Sequence, residues 1–382
     1  ALSSAASDVY KRQDLSVITK GLSLKALVNF KNWSETSYTR SIKSNIYKVR
    51  DGSYNPETGE FDYQLLQTGD QFLSQSGIGR NSDQTFYFDA RLDWKRSFGD
   101  HNLTAMAMYM MREYRSDVLP NRNQGYSGRV TYDYASKYLV EFNFGYNGSE
   151  RLAAGHRFEF FPAVSAGWVA SSEKFWEPIS KYINHFKIRG SYGLVGSDAF
   201  HKDAPHFLYQ NNIGIGSAHN FWTGLPTSEI SKKGPGFYVL AVQDAGWEHV
   251  KKFDIGFDMM LFNQLNITFD YFHDKRERIL MSRASWPSML GYWGSKPWSN
   301  IGEVENQGFE LSLNWTKQFG KDLTLDLRGN FTYNQNEYKY VDEPSYPYVW
   351  QTNTGKPLNT VKGYIAEGLF ASEEEIANSP DQ

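Results

Sequence analysis

The sequence predicts an all-β fold and, within that class, a transmembrane antiparallel up-and-down β-barrel. Three observations lead to this prediction. Apolar and polar residues alternate along about a dozen segments, many segments are near ten residues long, and short connections take turns with long ones. Tilted strands of about 9–11 residues cross a bilayer. Short turns on one side and long loops on the other are typical of outer-membrane barrels.

The first two strands carry the clearest alternation. From residue 22 to residue 30 every second residue is apolar, and most residues between them are polar. This is the two-residue period of a strand. In residues 86–94 the alternate face is fully charged, beginning at Asp89. A strand buried in a sandwich rarely carries such a face, so one side of this sheet is expected to line a wet interior.

The same pattern recurs along the rest of the chain. Residues 126–134 and 138–146 predict a hairpin that is joined through the turn at residues 135–137. Further strands are predicted at residues 158–168, 186–194, 253–261, 265–271, 309–315 and 323–333.

The predicted connections alternate in length. Tight turns are expected at residues 97–101, 263–264 and 319–322, and long extracellular loops at residues 115–124, 196–252 and 279–303. Residues 173–185 are the exception, because they form a longer connection on the side that otherwise has short turns.

Aromatic residues make up 16% of the chain and lie close to the predicted strand ends. Tyr134 and Tyr138 flank one short turn, and Trp315 and Phe319 precede another. In a lipid-facing barrel such rings form girdles at both interfaces. A single ring also fits the general preference of aromatic residues for strands, so the girdles are predicted from the whole set.

Composition excludes several other classes. The longest wholly apolar run, Phe237 to Val242, is far shorter than the roughly 18–20 residues of a membrane-spanning helix. Abundant rings and a net charge of -3 argue against disorder and give no basic surface for a nucleic acid. With 0 Cys, disulfides and thiolate metal sites are excluded.

The beginning of the chain has an unusual sequence. Residues 3–13 look like the in-frame translation of a common sequencing adapter, and no secretory signal lies near Ala1. We therefore expect residues 1–13 to be a non-native scar. Residues 14–382 are expected to be part of a barrel domain, with an arbitrary stop at Gln382.

Candidate catalytic and metal-binding groups are few. His201 and His206 lie near acidic residues in a long loop, but loop polarity explains them at least as well as a metal does. The carboxylate pairs Asp89/Asp93 and Glu303/Glu305 are expected to face the wet lumen, beside basic residues, and not to hydrolyse glycosides. We predict no catalytic residue, no metal and no cofactor.

Aromatic side chains in the long loops are the candidate ligand contacts. Flat rings stack on sugar faces and fill peptide pockets, and binding residues favour loops on a rigid scaffold. Packing within the loops, or contact with a partner protein, is the alternative explanation for each ring. The four candidates are Trp222, Trp286, Trp293 and Trp298.

Several segments resemble, in order, the SusC/RagA family of TonB-dependent outer-membrane transporters. The resemblance is carried by residues 125–134, 137–143, 161–168, 187–193, 254–258, 306–311, 368–370 and 373–376. It implies that the chain supplies about 12–13 strands of a 22-stranded barrel, with the plug and the C-terminal strands lying outside this sequence. It further implies import of oligosaccharides or peptides across the outer membrane, with a SusD-like surface lipoprotein and the TonB complex as partners.

Two other functions stay open at this point. A passive porin or adhesin barrel has the same composition. A secreted all-β glycosidase needs a repeat of about 20–50 residues and a placed carboxylate pair, and the sequence has no such repeat. If the chain is part of a larger barrel, residues 14–382 alone leave two unpaired edge strands and are not expected to form a stable closed pore.

Overall fold

The fold was analysed in a computed structural model. The structure describes residues 2–116, 118–201, 203–223, 230–287, 289, 296–366 and 368–379. For residues 2–5, 75–76, 216–223 and 230–232 it describes the backbone only.

Strands dominate the described residues, as predicted. Their bounds are β1 (Leu2–Asp14), β2 (Leu22–Ser41), β3 (Ile46–Val49), β4 (Tyr63–Gln67), β5 (Ser74–Phe98), β6 (His101–Arg115), β7 (Asn121–Tyr134), β8 (Tyr138–Ser149), β9 (Phe158–Trp168), β10 (Ile183–Ser197), β11 (Asn212–Thr223), β12 (Ile230–Val239), β13 (Glu248–Leu261), β14 (Leu265–Ser282), β15 (Trp298–Phe319) and β16 (Leu323–Tyr340).

Twelve of these strands form one antiparallel sheet in the order β1-β2-β5-β6-β7-β8-β9-β10-β13-β14-β15-β16. Each strand pairs with the strands before and after it in this series, which confirms the up-and-down topology. Within the described residues β1 and β16 each have a single neighbour, so the sheet is open, as expected for part of a barrel. The hairpins β3–β4 and β11–β12 lie outside it and pair only internally.

The short turns lie on one side of the sheet. Ala135 and Ser136 have φ values of 52° and 56°, and Phe262 and Asn263 have 52° and 54°. Two consecutive left-handed residues match the right-handed twist of the strands that they join. This side corresponds to the periplasm in outer-membrane barrels.

Two connections differ from the prediction. The connection at residues 115–124 is short, because β6 and β7 stay paired as far as Tyr114 opposite Asn121. The loop after β14 is also shorter than expected, at residues 283–297. In both places residues that the sequence analysis assigned to loops continue the strand ladders.

The outer face of the sheet carries an apolar band between two levels of aromatic rings. On β8 these levels are Tyr138 and Tyr146, which pair with Trp168 and Phe160 of β9. Eight strand steps of ~3.3 Å, tilted by ~40°, span about 20 Å, close to the height of a barrel's lipid-facing band. The predicted girdles therefore exist on both sides of this band.

The helical segments are few. The 3₁₀ helices lie at Ala170–Ser172, Lys174–Ile179 and Val349–Gln351, and the α-helix α1 (Glu373–Ala377) is capped by the Ser372 side chain. Among the described helices, none has the length and apolar character needed to cross a membrane.

The buried core lies at the end of the sheet opposite the tight turns. Most residues of the sheet are partly exposed on both faces. The side chains that pack into a buried cluster come from strands, from the connection between β8 and β9, and from the segment between β10 and β13. They are Leu152, Phe161, Phe200, Leu208, Ala245, Trp247 and Leu280. We call this cluster the rim core. It fixes the long loop to the extracellular rim.

Candidate functional site: a charged inner wall and an extracellular rim

The inner face of the sheet is polar, and several of its charges are paired. Asp93 contacts Lys25 at 2.8 Å and Arg91 at 3.1 Å. Glu141 of β8 accepts hydrogen bonds from Arg129 and Asn143. The expectation that the first carboxylate pair lies beside basic residues is therefore confirmed at Asp93.

Arg189 is the centre of the strongest charge cluster on this wall. Its guanidinium meets Asp270 through two contacts of 2.7 and 2.8 Å. Its Nε lies 3.3 Å from Asp258, and Nη1 lies 3.6 Å from Asp254. Because Arg presents a planar fork of donors, it can hold several carboxylates at once. The cluster ties β10, β13 and β14 together across their inner faces.

Glu303 and Glu305 do not face the lumen, contrary to the expectation. They share the face of Phe309, which lies in the outer aromatic level, and they extend above it. Glu305 contacts Lys339 at 2.8 Å, and Glu303 lies 3.6 Å from Lys275. Both faces of β15 are polar at this height, so the alternation could not distinguish them.

The long segment between β10 and β13 is anchored on the inner side of the rim. Asp198 accepts a 2.6 Å hydrogen bond from Asn123, whose position on β7 belongs to the polar face. The Arg151 guanidinium lies 4.8 Å from the ring centroid of Phe200. Trp247 donates from Nε1 to the Arg157 carbonyl at 3.0 Å. The loop therefore folds over the mouth of the inner wall.

Two carboxylates, Glu248 and Asp342, bind neighbouring residues of the extracellular rim. The Glu248 side chain is 3% exposed and accepts hydrogen bonds from Arg276 and from the Leu280 amide. Asp342 accepts from the Ser285 amide at 2.9 Å and from its hydroxyl at 2.8 Å, and Arg283 lies 3.2 Å away. Burial alone would raise the pKa of Asp342, but these donors outweigh it and lower that pKa.

A cavity of about 560 Å³ opens between the long segment that joins β10 to β13, the end of β14 and the start of β15. We call it the rim cavity. Its lining includes His201, Tyr238, Met281, Lys296, Trp298 and Asp342. The rings of His201 and Trp298 lie 6.2 Å apart, and Lys296 donates to the Ala284 carbonyl at 3.2 Å. An aromatic wall beside one lysine and the two carboxylates Asp203 and Asp342 suits a polar ligand with flat or apolar faces.

The four tryptophans that the sequence analysis named as candidate ligand contacts lie in different surroundings. Trp298 begins β15, is half-buried and lines the cavity. Trp286 is half-buried in the loop that follows β14. The backbone of Trp222 lies in β11, but its side chain is outside the described part, and Trp293 lies outside the described residues altogether.

The histidines and acidic residues of the long loop have separate partners and do not form one cluster. His201 lies 3.5 Å from Asp203, whereas His206 faces Glu150 at 3.5 Å and Asp198 binds Asn123. Within the described ranges, no three such side chains are arranged to hold a metal ion.

Sequence reasoning missed the residue that joins loop and sheet, Asn300. Its amide accepts from the Gly246 amide at 3.0 Å and donates to the carbonyls of Gly246 and Arg278 at 3.0 and 2.8 Å. An isolated asparagine in a polar strand gives no local signal of such a role.

Comparison with known proteins agrees with this architecture. Residues 6–371 match the family model described as "TonB dependent receptor-like, beta-barrel". The chain belongs to this family. It is therefore part of an outer-membrane receptor barrel and not an enzyme.

The relatives are much longer than this chain. The TonB-dependent receptor SusC of Bacteroides thetaiotaomicron is 24% identical over 313 residues, which cover 81% of this chain and 28% of SusC. A TonB-dependent receptor of Formosa agariphila is 28% identical over 276 residues, covering 72% of this chain and 25% of the relative. The chain thus spans about a quarter of the length of these curated relatives.

Solved structures show the same fold. The RagAB peptide transporter matches with a TM-score of 0.66 and 18% identity, over 88% of this chain and 36% of that chain. The siderophore receptor PirA from Acinetobacter baumannii matches with a TM-score of 0.52 and 10% identity, over 88% of this chain and 45% of PirA.

Proposed function

We propose that this chain forms part of the wall and extracellular rim of a TonB-dependent transporter that imports oligosaccharides or peptides across the outer membrane. One observation carries the proposal. A single sheet, which matches the family model, combines a charged inner wall, an apolar outer face suited to lipid and a cavity at the extracellular rim. Similarity to SusC and to the RagAB peptide transporter supports a large nutrient as the substrate class.

The proposed partners follow from the same relatives. A SusD-like surface lipoprotein would cover the extracellular rim, and the TonB complex would act through parts of the protein outside this sequence. The rim offers the lipoprotein a folded surface, because the loop between β10 and β13 is held by the rim core.

Uptake by the complete transporter, measured with candidate oligosaccharides and peptides, tests the proposal. We expect accumulation to require the proton gradient, so that an uncoupler abolishes it. Accumulation that survives the uncoupler and the loss of TonB would instead indicate a passive porin. Sugar release by the purified protein would indicate a glycosidase.

Trp298→Ala tests the rim cavity as a contact for the substrate. Loss of one stacking ring costs about 0.5–1.5 kcal/mol, equivalent to about a 2- to 12-fold lower affinity. Trp315→Ala is a matched control, because Trp315 lies on the outer face near the periplasmic turn. Equal uptake by the two variants at equal surface expression contradicts a role for Trp298.

We also propose that residues 1–13 are not native. In the structure residues 2–13 form most of β1 and pair with β2, so the natural residues at this position are expected to pair with the same edge. Sequencing of the source DNA across this junction tests the proposal, and an uninterrupted natural reading frame through residues 3–13 contradicts it.

A further inference from the structure

The connection between β9 and β10 is unlike the other periplasmic connections of the described sheet. Residues 169–182 contain two 3₁₀ helices, Ala170–Ser172 and Lys174–Ile179, whereas β7 and β8 are joined through residues 135–137. A tight turn would suffice to connect two antiparallel strands. We call residues 169–182 the foot.

The foot folds against the outer face of the sheet. The Tyr138 hydroxyl donates to Glu173 at 2.8 Å, and the ring of Phe175 lies 6.2 Å from that of Trp168. Trp176 stacks on Phe186 at 5.3 Å with an interplanar angle of 8°. Tyr138, Trp168 and Phe186 all belong to the apolar outer face.

The foot is held in a defined conformation. Trp176 donates from Nε1 to the Ile183 carbonyl at 3.0 Å. Lys137 contacts Glu173 at 3.1 Å, and the Glu173 side chain is 18% exposed. The hydroxyl of Tyr138 and the ammonium group of Lys137 together lower the pKa of Glu173. Its position below the band is therefore built by specific contacts.

Large apolar side chains of the foot remain exposed. Phe175 is 62% exposed, Ile179 41% and Tyr182 61%. Phe262, from the adjacent turn, is 57% exposed and packs edge-to-face on Tyr182 at 6.0 Å. In water these rings would form a costly apolar patch. They continue the lipid-facing surface directly, because Phe175 and Trp176 contact its last aromatic residues.

We infer that the foot is a membrane-interface element, which seats Phe175 and Ile179 among the phospholipids of the periplasmic leaflet. Lys174 and Lys181 are exposed on the same segment and suit contact with lipid phosphates. The foot would widen the footprint of the barrel in that leaflet. The inference rests on the outer-membrane location of the family and not on any transported substrate.

Depth-dependent quenching tests this inference in the complete transporter, reconstituted in phosphatidylcholine and phosphatidylglycerol vesicles. This chain has 0 Cys, so a Phe175→Cys variant carries a single bimane label here, once any cysteines elsewhere in the full protein are replaced. Ile188→Cys, on the outer face of β10, is the lipid-facing control. Lys321→Cys, in the tight turn between β15 and β16, is the water-facing control.

We expect brominated phosphatidylcholine to quench the label at position 175 at least half as strongly as at position 188, and not at position 321. Strong quenching by aqueous iodide at position 175, as at position 321, would overturn the inference. Protection from both quenchers would indicate that a protein covers the foot, which also overturns it. Ile179→Cys gives an independent label if Phe175→Cys fails to fold.

Discussion

The lower and upper parts of strands β13–β16 differ on their outer face although they share one backbone ladder. Below the level of Tyr271 and Phe309, the paired side chains are apolar, as in the row Phe257, Phe269 and Leu311. Above that level the same face carries Lys, Glu and His. The hydrogen-bonded register continues through this change without a break as far as Arg276.

This difference shows that the surroundings of the sheet, lipid below and water above, set the boundary between apolar and charged side chains, and that the backbone does not. Lipid accepts only apolar groups, whereas above it charged side chains can be solvated and paired. The inner face makes no such change, because it is polar at both levels. The comparison yields four predictions, which are made for the complete transporter.

The largest effect is expected from a charge placed in the apolar part. Phe269 lies between Phe257 and Phe309, with ring centroids 5.6 and 6.1 Å away. Phe269→Arg should lower the free energy of unfolding by about 2–4 kcal/mol, the cost of a cation at mid-membrane. Urea unfolding in lipid vesicles measures this change.

Thr268→Arg is the matched control for that variant. Thr268 is on the inner face, where its hydroxyl donates to Asp258 at 3.2 Å. A cation is tolerated there, so we expect a loss below about 1 kcal/mol. Equal losses for the two variants would contradict the assignment of the outer face to lipid.

The second prediction concerns the inner wall. Arg189→Met leaves Asp270 and Asp258 without their cation, and the Arg189 side chain is 32% exposed. After allowance for this exposure we expect a loss of about 1–2 kcal/mol. The double variant with Asp270→Asn should lose less than the sum of the single losses. Strict additivity would show that the two residues act independently.

The third prediction concerns pH and the rim. The pKa of Asp342 is lowered by its bonds to Ser285 and Arg283, so the folded carboxyl stays charged below its unfolded value of about 3.9. Its contribution is complete above that value and is lost as the pH falls through the lower, folded pKa. A spin label at Ala284→Cys should therefore stay immobile at pH 5 and gain mobility only below about pH 4.

Asp342→Asn in the same labelled protein should be mobile already at pH 7. Glu373→Gln, in helix α1, serves as a control that leaves this contact intact. If the label has the same mobility at pH 7 in the parent protein and in both variants, Asp342 does not hold the loop that follows β14.

The smallest effect is expected in the upper, charged part. Lys275 contacts Glu277 at 2.6 Å and Glu303 at 3.6 Å, and it is 37% exposed. Lys275→Gln should cost about 0.2–1 kcal/mol, and the cost should shrink in 1 M salt because such pairs are screened. A salt-independent loss comparable to that of Phe269→Arg would contradict the placement of this part in water.

Sequence reasoning succeeded where one face is apolar. The strand at residues 158–168 and the hairpin turn at Ala135 and Ser136 are where the alternation predicted them. It failed where both faces are polar, as at Glu305, and in the long loops, where β11 and β12 form a hairpin of their own. Trp298, which lines the cavity, was a candidate ligand contact from the sequence, and that role stays a prediction. No sequence signal pointed to its cavity neighbour Asp342.

The sequence by itself determined most strands of the large sheet, their antiparallel order and, where one face is apolar, the division into a lipid-facing and a wet face, because a period of two residues is a local property. The tertiary structure alone decided which charges meet at Arg189, which segments build the rim core and where the foot lies. Those contacts join residues that are far apart in the chain. Such residues meet only because the strands pair in a fixed register and the loops fold back onto the sheet.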